Sequence, residues 1–207
     1  MRQLAGVATI LVAFLSTARA ETNPLSLGLG EMTPERVRQA IGWGLSAPER
    51  DLEQYEIRAD RTWVLNFDTP FLRVAQYSRA MKIQNQPISE ADVSPKLVAD
   101  ELHVYAHAKL DNSSAPSQGL PNIDYIVILK PSPGGAAETI LPLSVLSFVR
   151  RVPPTEADPW GPTKIARSVK AVFPLSALAA GNEVRILFEG GLMQSVTMDP
   201  SLIARVR

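Results

Sequence analysis

The chain contains no cysteine. That absence excludes disulfide staples, thiolate nucleophiles and cysteine-ligated metal sites together. Only two histidines occur, His103 and His107. No H-E-x-x-H pair, G-x-S-x-G elbow, S-x-x-K pair, calcium-binding loop or phosphate loop is present. Gly28-Leu-Gly30 and Gly42-Trp-Gly44 lack the continuation of a dinucleotide fingerprint. No cofactor and no metal are therefore expected, and catalysis is disfavoured. Net charge is also missing: 21 basic residues balance 21 acidic ones. Nucleic acids and anionic membranes select basic surfaces, so neither is an expected partner. There is no internal repeat and no low-complexity segment.

What is present begins with an export signal. Arg2 supplies a positive start, Leu4 to Leu15 an apolar run, and Ala18-Arg19-Ala20 a cleavage pattern before Glu21. The run is shorter than the ~20 residues of a membrane span, so a cleaved signal peptide at residues 1–20 is favoured over an anchor. No cysteine follows it to carry a lipid, and no later run is apolar for long enough to span. Cleavage would leave 207 − 20 = 187 residues, with 19 basic against 21 acidic, or −2. A chain of that size can bury a core without staples. Export without disulfides points to a bacterial envelope, so a periplasmic or secreted location is expected. Asn112-Ser113-Ser114 fits a glycosylation acceptor but reads as a solvated turn.

Residues 21–32 read as an extended leader. Thr33-Pro34-Glu35 is a helix start, with cap, first-turn proline and acid in order. The helix presents Val37, Ala40 and Ile41 on one face and should stop near Gly42–Gly44, with Trp43 either anchoring its end or exposed for contact. Leu52 to Arg58 is ambiguous between helix and strand, and Trp63 to Phe67 reads as a strand. Phe71 to Gln84 is the strongest helix. Phe71, Val74, Ala75, Ser78 and Met81 share one face, and Arg73, Gln76, Arg79 and Lys82 lie opposite. That basic edge is expected to be a solvated face, with an acidic partner as the other reading. Short turns follow over 87–100.

From residue 101 the pattern becomes β. Leu102–Leu110 alternates, which puts His103, Tyr105 and His107 on one polar face. Residues four apart on a strand are separated by ~13 Å, too far for two imidazoles to share a metal. Asn122–Lys130 reads as buried on both faces. Thr139–Val149 is interrupted by Pro142 and so bends or lies at an edge. Strands are expected at 165–173, 184–188, 193–198 and 202–206. Between two of them, Phe173, Leu175, Leu178, Gly181, Val184, Ile186 and Phe188 form a spacing that resembles the corner where an immunoglobulin-like chain crosses between sheets. The resemblance covers roughly forty residues and lacks the cysteine pair, core tryptophan and corner tyrosine of antibody domains. It implies a sandwich and no activity. The expected fold is mainly β (α+β): an immunoglobulin-like β-sandwich over 101–207, with helical additions over 33–100 in the same domain.

The binding candidates lie in a proline-rich loop. Asp158 and Trp160, with proline on both sides of the tryptophan, make a stiff aromatic presentation, and Arg150-Arg151 just before could meet a carboxylate. Trp160 folding back as a cap, and a solvated arginine pair, are the plainer readings. The expected function is non-catalytic protein–protein contact or assembly in the envelope, with a protein partner. A carbohydrate- or small-ligand-binding module is the alternative, and it needs Trp43, Trp63 and Trp160 accessible. A hydrolase is the second alternative, and it needs two acids among Asp68, Asp100, Glu101, Asp124 and Glu189 to converge.

Overall fold

The computed structural model describes residues 31–48, 56–59, 63–108, 122–152, 164–201 and 203. Residues 1–30, 109–121 and 153–163, on which the expected signal peptide, leader and proline-rich loop fall, lie outside that set.

Helix α1 spans Pro34–Ser46 and begins as its sequence dictates: the Thr33 hydroxyl accepts from the Arg36 amide at 3.4 Å, with proline at the first position. It runs past Gly42 and Gly44, where an end was expected. The reason is the second helix, α2, Pro70–Ile83. A Cβ on Gly44 would overlap the backbone carbonyl of Ala75. Glycine is needed there for close helix approach, not to terminate the helix. Val37, Ala40 and Ile41 of α1 bury against Phe71 and Val74 of α2, and Trp43 packs on Phe71 with ring centroids 5.8 Å apart. Trp43 thus anchors the helix end and joins this small core to the main one.

The β part forms two antiparallel sheets. Strands β1 (Glu56–Arg58), β2 (Trp63–Asp68), β3 (Glu101–Ala108), β7 (Lys164–Pro174) and β6 (Ser144–Val152) form one, in the order β1-β2-β3-β7-β6. Strands β5 (Glu138–Ile140), β4 (Ile123–Lys130), β8 (Glu183–Phe188) and β9 (Met193–Thr197) form the other, in the order β5-β4-β8-β9. Alternation decides which residues face inward. Leu65, Phe67, Leu102, Val104, Ala171 and Phe173 from the first sheet meet Ile126, Ile128, Val184 and Ile186 from the second in one core. The fold is mainly β, in two antiparallel layers with a few helices. No helix among the described residues is long and apolar enough to cross a membrane.

The chain changes sheet at the points its punctuation marks. Pro142 lies between β5 and β6, which belong to different sheets and are both edge strands. After β7, a single 3-10 turn at Leu175–Ala177 carries the chain to β8 in the opposite sheet, with Leu175, Ala177 and Leu178 buried. The β8–β9 hairpin turns on Gly190 and Gly191, both at positive φ. Two expectations fail. Strand β4 is fully buried on one face only, since Asp124 and Tyr125 are exposed. Ser201 and Ile203 are helical, with Ile203 N–H donating to Asp199 O, where a last strand over 202–206 was expected. A short apolar run does not declare its period.

Candidate interaction surface

Strand β6 occupies the end of its sheet. Its register places Val145 opposite Ala171 and Ser147 opposite Val169, while Leu146 faces Lys170 and Phe148 faces Ser168. Directly opposed residues share a face, so Val145, Ser147 and Val149 lie on the core side. Even so, Val145 is 43% and Val149 61% exposed, and a gap of about 100 Å³ separates Ser147 and Val149 from Asn122 and Ile123 at the start of β4. Leu146 and Phe148 on the other side are exposed too, as are Leu141 and Leu143 just before the strand. The result is a two-sided apolar edge.

Sheet edges are ordinarily blunted by brevity, charge or proline. Among the described residues, β1 and β5 are three residues long, and β5 carries Glu138. Strand β9 has five residues, three of them the polar Gln194, Ser195 and Thr197. Strand β6 has nine residues and no charge before Arg150. Its second row of backbone donors and acceptors has no neighbouring strand among the described residues. A contiguous apolar patch of this extent marks an interaction site more often than ordinary surface.

The candidate residues distribute unevenly around it. Arg150 and Arg151 form the penultimate positions of β6, paired with Ala166 and Ile165. Asp158 and Trp160 lie outside the described residues. The apolar stretch 141–149 was expected to bend or lie at an edge because of Pro142, and β6 does lie at one. That its apolar side chains are left exposed on both faces was not read from the sequence.

A second cluster was missed outright. Arg73 is buried, not part of a solvated basic edge as its helical position implied. Its guanidinium donates to four backbone carbonyls: Leu97 O at 3.1 Å, Asp68 O at 3.2 Å, Glu101 O at 3.0 Å and Ala99 O at 2.6 Å. Burial lowers the Arg73 pKa from its ordinary value, and the nearby Asp68 and Glu101 charges oppose that shift. The other cations of that edge are occupied as well. Arg79 donates to Ala47 O and Lys82 to Leu45 O, at the C-terminal end of α1, where a cation complements the helix dipole.

His103 joins the same cluster and is buried, contrary to the expected polar outer face. Its ring meets Asp68 and Glu101, an approach that no strand period reveals. The imidazole Nε2 lies 3.2 Å from Glu101 Oε2, and Nδ1 lies 3.5 Å from Asp68 Oδ2. Asp68 Oδ1 is buried with no hydrogen-bond partner in the chain. Tyr105, the next residue on that face, is pushed up to about 12 by its own burial, with the Asp68 charge adding to the shift. Two carboxylates thus converge, but on an imidazole that is only 7% exposed. The arrangement is a polar latch that ties β2, β3 and α2 together.

The tryptophans point inward where they are described. Trp63 is buried against Phe188, with ring centroids 5.0 Å apart, and Trp43 is half-buried. An open cleft of about 770 Å³ lies between Met32, Val98, Leu175 and Leu178, with Glu31 and Asp100 on its wall.

No family model and no curated protein matches the chain. Among solved structures it is similar to a novel protein of unknown function from Burkholderia pseudomallei, at 14% identity and a TM-score of 0.40, over 86% of this chain and 97% of that one.

Proposed function

We propose that this is an exported protein of the bacterial envelope that works by protein–protein contact, through the free edge of β6. The observation that carries this reading is the apolar edge of β6 over 144–149, uncharged before Arg150, whose core-side valines are exposed. Strand addition is the recognition mode such an edge favours: backbone groups supply affinity and alternate side chains supply selectivity. The export pattern of residues 1–20 supports a periplasmic or secreted location. The ligand-binding alternative loses ground, because Trp63 is buried and Trp43 half-buried. The hydrolase alternative loses ground as well, because Asp68 and Glu101 converge on an imidazole and not on a cleft.

We read the sandwich as immunoglobulin-like. If β2, β3, β7 and β6 take the places of strands A, B, E and D, then β4, β8 and β9 take those of C, F and G, with β5 added beside C. An experimental structure with a different strand order would end that reading.

The functional test is photo-crosslinking in intact cells. A crosslinking amino acid at Leu146 should capture a protein in the envelope fraction, and the same amino acid at exposed Ser195 of β9 should not. Equal capture at both positions, or none at Leu146, would refute contact through β6. Recovery of the chain in the cytosolic fraction alone would refute export.

A further inference from the structure

We infer that the partner of β6 is a second copy of this chain, paired antiparallel about a two-fold axis through Ser147. This rests on the β6 reading above and names its occupant. The argument comes from register. A two-fold axis perpendicular to a sheet keeps every side chain on its own face, so the residue on the axis must lie opposite itself. The middle of β6 offers three such centres. A centre at Phe148 sets Leu146 against Arg150 and Val145 against Arg151. A centre at Leu146 sets Val145 against Ser147 and Phe148 against Ser144, so the central apolar residues meet serines. A centre at Ser147 sets Val145 against Val149, Leu146 against Phe148 and Ser144 against Arg150, with Leu143 and Arg151 opposed further out. Across 145–149 apolar then meets apolar on both faces, including an aromatic–aliphatic pair of the kind that stabilises cross-strand neighbours.

Charge agrees with that centre. The two Arg150 positions fall six strand positions apart, roughly 20 Å, beyond the ~8–10 Å over which surface charges interact in physiological salt. No acidic residue lies in 141–149 to demand a cationic partner strand. The exposed parts of Leu141, Leu143, Val145, Leu146, Phe148 and Val149 amount to on the order of 600 Å² per copy, so a pair would bury at most ~1,200 Å², which reaches the lower bound of a stable specific interface and suits a reversible dimer. The two five-stranded sheets would join into one, and both exposed edges would vanish.

The test uses the full chain, expressed with its own leader and purified after export, in sedimentation velocity over a concentration series from low micromolar upward. A monomer–dimer equilibrium is expected, and Leu146→Lys should weaken it by at least about tenfold while the circular dichroism spectrum stays the same. The cysteine-free background supplies an independent variant that need not disturb packing. Ser147→Cys should form an interchain disulfide on oxidation, because directly opposed residues lie within the bridging distance, and Ser195→Cys should not. A chain that stays monomeric, with Ser147→Cys uncrosslinked, overturns the inference, and so does a dimer indifferent to Leu146→Lys. If the chain is monomeric while Leu146 captures a different protein in cells, the second-copy inference falls and contact through β6 stands. If Leu146 captures nothing and the chain is monomeric, both fall.

Discussion

Gly42 and Gly44 lie two residues apart on α1, and the same substitution should move stability in opposite directions at the two sites. At Gly42 a Cβ meets nothing within 4 Å, and the residue is exposed. Alanine there removes the entropic penalty of a helical glycine, a gain of ~0.8–1 kcal/mol. At Gly44 the Cβ would fall 2.8 Å from both the carbonyl carbon and the Cα of Ala75 and closer still to its carbonyl oxygen. Those are backbone atoms of α2, and Val74 and Ala75 are fully buried, so nothing flexible can give way. The helices must separate, which loosens Val37, Ala40 and Ile41 against Phe71 and Val74. Overpacking costs ~1–3 kcal/mol, and an overlap with unyielding backbone belongs at the upper end, so after the same propensity gain a net loss of ~2 kcal/mol is left. For a chain of this size each kcal/mol moves Tm by ~2–4 °C. Thermal melts of the two single variants and of the double variant are the assay. Gly42→Ala should melt higher than the parent and Gly44→Ala lower. Gly44→Ala melting at or above the parent would refute the close approach of the two helices.

Two further perturbations address the polar latch. Arg73→Met keeps the length of the side chain but leaves four carbonyls without their donor and two acids without their countercharge. A loss of ~3–5 kcal/mol in urea unfolding is expected, and Arg73→Lys should recover only part of it, because one ammonium cannot span the fork; a loss below ~1 kcal/mol for Arg73→Met would show that the fork contributes little. Tyr105 has a folded pKa raised to about 12 from an ordinary 10.0. Its neutral form is therefore the one the fold favours: the contribution is fully present below pH ~10 and is lost as pH rises toward ~12, by on the order of 1–2 kcal/mol. Phenolate absorbance titrated against Tyr105→Phe should show one tyrosine ionising late, and a difference between the two curves that rises near pH ~10 would refute its burial beside Asp68.

Much of the framework was legible in local chemistry. Thr33-Pro34 and Thr69-Pro70 start helices because proline suits a first turn and the threonine oxygen satisfies an amide left over there. The period of two in Leu102–Ala108 and Val184–Phe188 marks strands with one buried face. Glu189-Gly-Gly191 turns a hairpin because glycine reaches positive φ freely. Those rules act over a few neighbours, and the residues that obey them are adjacent in sequence.

What covers a face is a different question. Arg73 sits on the polar side of its helix by spacing, yet it is buried, because residues 97–101, far along the chain, fold over it and offer carbonyls. His103 lies on the predicted side of its strand, but that side meets Asp68 and Glu101, not solvent. The apolar run 141–149 divides between the two: Pro142 placed it at an edge, while the exposure of its side chains came only with the fold. Where elements start, turn and alternate follows from neighbouring residues, because capping, φ preference and side-chain period are local. Which faces are covered follows from the fold, because burial depends on segments that are distant in sequence and meet only once the chain has folded.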